Sequence, residues 1–393
     1  MNSKWEYRKI GDVCIVERGG SPRPIDQYIT NDANGINWIK IGDTSESMYI
    51  TETAQKIKPE GMKKSRYVQP GDFLLSNSMS FGRPYILKTD GCIHDGWLVL
   101  RDKNSFFDKR FLYYYLSAKP TYEKFKMIAV GGVVNNLNSE MVRKISVPVP
   151  CKAEQIEIAN LLDIVNRIIL KRKQTLQKLD ELVKARFVEL FGNPVINNKG
   201  WNVSDLGQLT IKIGSGATPK GGKEAYQTDG ISLIRSMNVH NGKFEYKELA
   251  HISDEQAARL ENVAVEENDV LLNITGASVA RSCVVPTNVL PARVNQHVCI
   301  IRCKDSIMPD FINSLLIDDN YQDLLWSIAG SGATREAITK QQVESLQIIL
   351  PPISKQEEFS KFINRVDKSK VAVQKSLDEA QLLFDSLMQQ YFG

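Results

Sequence analysis

A seven-residue repeat of apolar positions is the most regular pattern along the chain. Between residues 152 and 192 it places an apolar side chain at Leu162, Ile169, Leu176, Val183 and Leu190. A second, partly filled series contains Ile158, Val165 and Leu179 and is interrupted by Arg172 and Arg186. Heptads sustained over this length predict a helix in a coiled coil. About forty residues rising 1.5 Å each make a rod of roughly 60 Å.

The same pattern returns near the end of the chain, at Ile363, Leu377, Phe384 and Tyr391, with Lys370 at one heptad position. Gln155 and Gln356 are 356 − 155 = 201 residues apart, and the same offset aligns Phe191-Gly192 with Phe392-Gly393. A register held over such a distance indicates a tandem duplication. Two nearly matched helices in one chain favour antiparallel pairing with pseudo-twofold symmetry.

The segments before the helices alternate short apolar runs with polar turns. The first segment contains "NWIKI", "DFLLS" and "WLVLR", and the second contains "SLIRS", "DVLLNI" and "HVCIIR". These runs predict strands, and "KRFLYYYLSAK" and "DFINSLLIDD" predict one helix in each copy. The mixture predicts an α+β fold rather than a regular βαβ alternation.

The duplication predicts four segments. They are a globular domain at 1–150, a long helix at 151–192, a second globular domain at 193–350 and a second long helix at 351–393. Gly192 and Trp201 are nine residues apart, which spans at most about 30 Å. If the copies are equivalent, Gly393 lies about that close to Trp5.

Each long helix is preceded by the same short motif, a proline followed by a polar stretch and a Gln-x-Glu. We expect Ser354 and Glu357 to form a capping box at the start of the second helix, whereas Ala153 and Ile156 stand at those positions in the first. Gly192, followed by Asn193-Pro194, is expected to end the first helix.

Composition places the chain among ordinary globular proteins, with 42% hydrophobic and 24% charged residues. The six cysteines form no CxxC pair, and the N-terminus has no apolar targeting region, so we expect a cytoplasmic protein without a membrane segment. The net charge of +4 is unevenly spread. Residues 1–150 carry 22 Lys and Arg against 16 Asp and Glu, while 201–350 carry 13 against 18.

The order of these motifs resembles the specificity subunits of type I restriction–modification systems. The second helix entrance, "ILPPISKQEE", is similar to the proline-rich entrance of that family, and "VPVPCKAEQIEIA" departs from it with a Cys at one proline position. The loops "GGSPRP" and "GSGATPK" resemble the Gly-rich loop of its target recognition domains, and "GDFLLS" and "NDVLLN" resemble a recurring strand. The resemblance covers essentially the whole chain.

The resemblance implies a non-catalytic subunit of a methyltransferase/endonuclease complex. Each target recognition domain would read one half of a bipartite site in double-stranded DNA, with the helices setting the spacer. The implied partners are two methyltransferase subunits and a motor–nuclease subunit. The implied cofactor, S-adenosylmethionine, belongs to the methyltransferase, and this chain is expected to bind no cofactor or metal.

DNA reading requires cations for phosphates and amide, hydroxyl or guanidinium groups for base edges. Polar loops at matching places in the two copies supply such groups. The candidate DNA-binding residues are Lys63, Lys64, Arg66, Asn77, Ser78, Arg83, Asn135 and Asn136 in the first copy and Lys220, Lys223, Asn273, Thr275, Arg281, Thr334 and Arg335 in the second.

Other functions remain open at this point. A coiled-coil adaptor with two protein-binding domains fits the acidic second half, and a specificity partner of a fused methyltransferase–nuclease fits the same motifs. "GSGATPKGGKE" lacks the spacing of a phosphate-binding loop. Asp229, Glu245 and Lys247 match only a loose nuclease pattern. His297, Cys299 and Cys303 lack a nearby fourth ligand, so burial is favoured over metal binding.

Overall fold

The computed structural model describes residues 5–77, 82–129, 136–330 and 336–393. The chain forms two compact units, unit 1 with residues 1–173 and 375–393 and unit 2 with residues 174–374. The boundaries pass through both long helices, so each unit contains one globular domain and part of each helix. The division into two globular domains and two long helices with bounds at 1–150, 151–192, 193–350 and 351–393 stays a prediction from the sequence.

Unit 1 is an α+β domain. Its strands in the described residues are β1 Tyr7–Lys9, β2 Cys14–Arg18, β3 Ile29–Thr30, β4 Ile36–Ile39, β5 Tyr49–Ile50, β6 Gln55–Ile57, β7 Arg66–Val68, β8 Phe73–Ser76, β9 Pro84–Leu87, β10 Gly91–Ile93, β11 Trp97–Asp102 and β12 Ser146–Pro148. Its helices are α1 Ile10–Val13, α2 Lys109–Ser117, α3 Lys119–Ala129, α4 Ser139–Arg143 and the first part of α5 Lys152–Phe191.

Unit 2 repeats this composition. Its strands in the described residues are β13 Asn202–Asp205, β14 Thr210–Ser215, β15 Ile231–Ile234, β16 Val239–His240, β17 Lys243–Phe244, β18 Ala250–Ile252, β19 Ala264–Val265, β20 Val270–Asn273, β21 Ser282–Val284, β22 Ala292–Val294, β23 Val298–Cys303 and β24 Gln347–Leu350. Its helices are α6 Asp254–Arg259, α7 Pro309–Leu316, α8 Asp319–Gly330, α9 Lys340–Glu344 and the first part of α10 Ile353–Phe392.

Four strands of each large sheet correspond between the two units, and each sheet of unit 1 has a fifth strand, β5 or β3. The order β2-β11-β8-β9 in unit 1 matches β14-β23-β20-β21 in unit 2, and β6-β4-β10-β7 matches β18-β15-β22-β19. The second sheet contains a parallel pair at the same place in each unit, β4 with β10 and β15 with β22. The predicted duplication, the α+β class and the six quoted strands are therefore confirmed.

The two sheets of each unit enclose a core, and helices cover the outer face of one of them. Along β11, Trp97 and Val99 pack between the sheets, while Leu98 and Leu100 pack toward the helices. Along β23, Val298 and Ile300 alternate in the same way with Cys299 and Ile301. This alternation has the two-residue period of a strand buried on both faces.

The long helices pair antiparallel inside each unit. In unit 1, Val165 and Ile169 of α5 form a buried cluster with Ala380 of α10. In unit 2, Asp180 pairs with Lys370 at 2.7 Å and Arg186 pairs with Glu358 at 2.5 Å. Residue numbers rise along α5 as they fall along α10, which confirms the predicted antiparallel coiled coil.

A buried glutamine joins each long helix to the domain that precedes it. The Gln155 side chain is fully buried, and its Oε1 accepts a hydrogen bond from the Asp108 N–H at 2.7 Å. Its Nε2 donates to the carbonyl oxygens of Phe106 and Pro150, both at 2.9 Å. The repeated motif is therefore an amide clamp, since it ties the first turn of α5 to the loop before α2.

The second copy builds the same clamp. Gln356, also fully buried, accepts from the Met308 N–H at 2.9 Å and donates to the Pro351 carbonyl at 2.8 Å. This loop precedes α7, the counterpart of α2. The recurrence explains why the chain needs a glutamine at both helix entrances.

The predicted capping box at Ser354 and Glu357 is wrong. Helix α10 begins at Ile353, so Ser354 lies inside the first turn, and the Lys355 N–H donates to the Pro352 carbonyl at 2.9 Å. The end of α5 is as predicted, because Gly192 has a positive φ of 77° and its N–H donates to the Val188 carbonyl at 2.8 Å.

The C-terminus returns to the start of the chain within unit 1. The rings of Trp5 and Phe392 both pack against Phe111, with centroid distances of 6.0 and 5.5 Å. In unit 2, Phe191 occupies the corresponding place against Phe311 at 4.8 Å. The predicted closeness of the two ends of the chain is confirmed.

We expect Gln155→Ala to destabilise unit 1 by about 3 kcal/mol, because it leaves an N–H and two carbonyl groups without their partner. For a unit of this size that lowers Tm by roughly 6–12 °C in thermal unfolding followed by circular dichroism. Glu157→Ala, at an exposed position on the same helix, is the control and is expected to be neutral. Equal Tm values for the two variants would contradict the clamp.

Candidate nucleic-acid interface

The Gly-rich loop of each unit lies directly against a tight turn. In unit 1, a Cβ added to Gly19 would lie 2.1 Å from the His94 carbonyl oxygen, and in unit 2 a Cβ on Gly216 would lie 1.6 Å from that of Val294. The Gly19 N–H donates to the Trp97 carbonyl at 2.9 Å. The glycines are therefore required for close backbone approach.

The turn under this loop comes immediately before the last long strand of each unit. We call it the pre-strand turn, residues 94–97 in unit 1 and 295–298 in unit 2. In both, the N–H of the fourth residue donates to the carbonyl of the first, at 3.1 Å in unit 1 and 3.2 Å in unit 2. The two turns lie 201 residues apart, in the register of the duplication.

A hydroxyl group from the Gly-rich loop holds the second side chain of each turn. Ser21 Oγ donates to Asp95 Oδ1 at 2.6 Å, and the Thr218 hydroxyl donates to Gln296 Oε1. The bond from Ser21 is the main cause that lowers the pKa of Asp95, so this carboxyl group is ionised near neutral pH. Burial lowers the pKa of the neighbouring His94, which favours its neutral form.

Two of the predicted DNA-binding residues are buried. Asn77 is 2% exposed and its Nδ2 donates to the Asp95 carbonyl at 2.7 Å, while Asn273 is fully buried and donates to the Ser236 carbonyl at 2.8 Å. Asn77 follows β8 and Asn273 is the last residue of β20, the strands that pair with the last long strand of their sheet. Their amides hold neighbouring loops in place and are not presented to solvent.

Two matched arginines lie at the same end of each unit. Arg83 is exposed and its guanidinium lies 5.5 Å from the centre of the Tyr85 ring. Arg281 borders a cleft of about 600 Å³ that also contains Thr275, His297 and Glu336. Thr275 Oγ1 contacts His297 Nδ1. Arg281 is half-buried at this cleft.

The basic segment of unit 1 lies beside the Gly-rich loop. A Cβ on Gly20 would lie 3.0 Å from the Lys64 carbonyl oxygen. Lys63, Lys64 and Arg66 are exposed, but Lys64 Nζ donates to the Tyr28 hydroxyl at 2.9 Å and Arg66 pairs with Glu17 at 3.2 Å. In the described structure Lys63 therefore has the least engaged charge of the three.

The remaining candidates are divided between described and undescribed positions. Lys220 and Lys223 are exposed in the Gly-rich loop of unit 2. Asn136 is half-buried beside Leu137, whose N–H donates to the Asn77 carbonyl at 3.0 Å. Four candidates lie outside the described residues: Ser78, Asn135, Thr334 and Arg335.

Each unit thus gathers three backbone segments at one end of its sheets: the Gly-rich loop, the segment after β8 or β20, and the pre-strand turn. A fourth segment joins them, since the Gly276 N–H donates to the Glu336 carbonyl at 2.9 Å. Asp95, Gln296 and His297 also lie at this end and are not among the residues predicted from the sequence. The 201-residue register, which aligns "IHDGW" with "VNQHV", is the signal that could have found them.

The described residues contain no group of three or more His, Cys, Asp or Glu side chains arranged to hold a metal ion. Burial raises the pKa of Cys299 to about 12, which disfavours the thiolate that a metal requires. Among the described helices, none has an apolar stretch long enough to cross a membrane.

Comparison with known proteins identifies the class of these domains. The family model for the type I restriction modification DNA specificity domain matches residues 2–181 and again residues 198–380. This chain belongs to that family. The two matches correspond to the two copies of the duplication, so the chain carries two DNA specificity domains, and the family supports DNA reading over a protein-only adaptor.

Similar proteins cover nearly the whole chain. The MjaIX specificity subunit of Methanocaldococcus jannaschii is 23% identical over 98% of this chain and 91% of that protein. The EcoBI specificity subunit of Escherichia coli is 22% identical over 91% of this chain and 79% of its own length. A solved type I S subunit from M. genitalium shares the fold, with a TM-score of 0.58, 14% identity and coverage of 100% and 97% of the two chains.

The contact at Gly216 gives a test of the interface architecture. We expect Gly216→Ala to displace the Gly-rich loop of unit 2, because the new methyl group would overlap the Val294 carbonyl, at a cost of about 1–3 kcal/mol. The melting temperature and the affinity for DNA should both fall. Gly214→Ala is the control two residues away, where a Cβ meets nothing within 4 Å, and it should behave like the unchanged chain.

Proposed function

We propose that the loop end of each DNA specificity domain contacts one half of a split site in double-stranded DNA. The observation that carries this proposal is the duplicated set of converging loops, with the exposed Arg83 after β8 in unit 1 and Arg281 in one cleft with His297 in unit 2. The guanidinium groups suit phosphates or guanine edges, and the turn side chains suit the pattern of donors and acceptors in the major groove.

The two long helices set the gap between the half-sites in this proposal. Each has 40 residues. At 1.5 Å per residue that is about 60 Å, the length of roughly 17 base pairs at 3.4 Å each. Because the buried glutamines fix both helix entrances, the gap should have one fixed value.

The chain itself acts as the non-catalytic partner of methyltransferase subunits, one for each unit. S-adenosylmethionine and the methyl transfer belong to the partner, and a motor–nuclease subunit joins the complex for cleavage. Such a complex would work on intracellular DNA, so we expect the chain in the cytoplasm. The alternative partner is a fused methyltransferase–nuclease, which would bind the same surfaces as a single polypeptide.

An apolar stripe on α5 supports docking of such a partner on unit 1. Leu161, Ile164 and Ile168 are 36%, 53% and 40% exposed and lie on one side of the helix at i, i+3, i+7 spacing. Ala159 and Asp163, which face the globular domain, lie on the other side. Exposed aliphatic side chains grouped along a helix mark interaction surfaces.

The proposed function is tested by mapping methylated adenines in host cells with and without this chain. We expect a split motif with a fixed gap that is lost when the chain is removed. Purified chain with its methyltransferase should bind duplex DNA less tightly as salt rises, because phosphate contacts release counterions. Unchanged methylation without the chain would refute the proposal.

The stripe is tested by Ile164→Glu combined with Ile168→Glu. The added charges should weaken binding of the methyltransferase roughly tenfold or more, since burial of one aliphatic side chain contributes about 1.5–3 kcal/mol. Titration calorimetry with the purified subunits measures the change. Leu382→Glu is the control, because that leucine is 72% exposed on α10 and lies outside the stripe. Equal weakening by both variants would argue against a specific surface.

A further inference from the structure

We infer that the pre-strand turn is a base-reading element, with Gln296 reading in unit 2 and Asp95 in unit 1. The inference rests on the proposed contact between the loop end and DNA, and it assigns specificity to side chains of that end. Both residues hold the second position of their turn, one of the two central positions of a four-residue turn.

The turn side chains are accessible although their backbones are fixed. Gln296 is exposed, and the Asp95 side chain is 44% exposed. The backbone below is anchored, since the Gly216 N–H donates to the Asn295 carbonyl at 3.1 Å and the Ile274 N–H donates to that of His297 at 2.9 Å. A fixed backbone with accessible side chains is the arrangement that a specific contact requires.

The reading side chains are held in position in the absence of DNA. In unit 2, Thr218 holds the Gln296 amide oxygen, Thr275 contacts His297 Nδ1, and Gln296 Nε2 lies 3.3 Å from His297 Nε2. This network leaves Gln296 one amide N–H and a second lone pair on its oxygen. Side chains ordered in advance lose less entropy on binding.

In unit 1 the charged turn side chain keeps one oxygen for a ligand. Asp95 Oδ1 accepts from Ser21, and Oδ2 lies 3.6 Å from the guanidinium of Arg23, whose side chain is 82% exposed. An ion pair this exposed is weak and exchanges readily with other partners. A carboxylate would repel phosphates, so near DNA it suits a base amino group and not the backbone.

The two copies keep the anchors of this turn and change the side chains it presents. Gly19 matches Gly216 and Ser21 matches Thr218, but Gln296 stands in the place of Asp95 and His297 in the place of Gly96. A glutamine amide pairs with the N6 and N7 groups of adenine, whereas a carboxylate accepts from the amino group of cytosine. We therefore assign an adenine contact to the turn of unit 2 and a cytosine contact to that of unit 1.

The test uses the full chain with its methyltransferase and measures methylation of all single-base variants of the motif. Gln296→Ala should reduce discrimination at one or two positions of one half-site on the order of 10- to 100-fold. The other half-site should stay unchanged. Gln208→Ala is the matched control. Gln208 is also an exposed glutamine, but it precedes the first residue of β14, whereas the Gly-rich loop follows the last, so this variant should preserve the whole profile.

Asp95→Asn provides the reciprocal arm, since it exchanges an acceptor for a donor at nearly constant size. It should alter discrimination in the half-site that Gln296→Ala leaves intact. If Gln296→Ala lowers Tm, Gln296→Glu retains the acceptor for Thr218 and removes the amide donor, so it should give the same loss of specificity.

Two results would overturn the inference. One is an unchanged profile for both turn variants. The other is a uniform loss of methylation over both half-sites at unchanged Tm, which would indicate a phosphate contact or a structural role. Failure of the unchanged chain to impose any split motif would instead refute the proposed function, and this inference with it.

Discussion

The buried amide at each helix entrance is the constraint on which the rest of the structure depends. Gln155 and Gln356 each satisfy both sides of their amide groups with backbone partners from the preceding domain. A buried amide that lost those partners would carry the full cost of desolvation. The first turn of each helix is thereby tied to its own globular domain.

The duplication separates what must stay constant from what can differ. Glycines, turn hydrogen bonds and core alternation recur in both units, since they decide whether the loops meet at all. Charge does not recur, because a basic segment with Lys63 lies beside the Gly-rich loop of unit 1, while the matched region of unit 2 contains Glu261 and Glu266. Two copies of one scaffold therefore present two different surfaces.

The fold was predictable where its cause is local. Heptads predict the helices and two-residue alternation predicts the strands, because both patterns arise within a few residues. The capping motif at Ser354 was misleading because such a motif fits two adjacent registers equally well, and α10 begins at Ile353 with the Gln356 amide buried in its first turn. The site was less predictable. Asn77 and Asn273 look like surface amides, and only contacts with loops 18 to 37 residues away show that they are buried. The hydroxyl groups that hold the Asp95 and Gln296 side chains come from loops 74 and 78 residues earlier in the chain.

Unit 1 is assembled from two separate stretches of the chain, whereas unit 2 is one continuous stretch. During synthesis from the N-terminus, the first globular domain emerges early but lacks Phe392, which covers part of its aromatic core. The domain made second receives its closing residue, Phe191, before the rest of it exists. The globular domain that is translated first is thus completed last, because it waits for Phe392, whereas Phe191 already exists when the second domain is made.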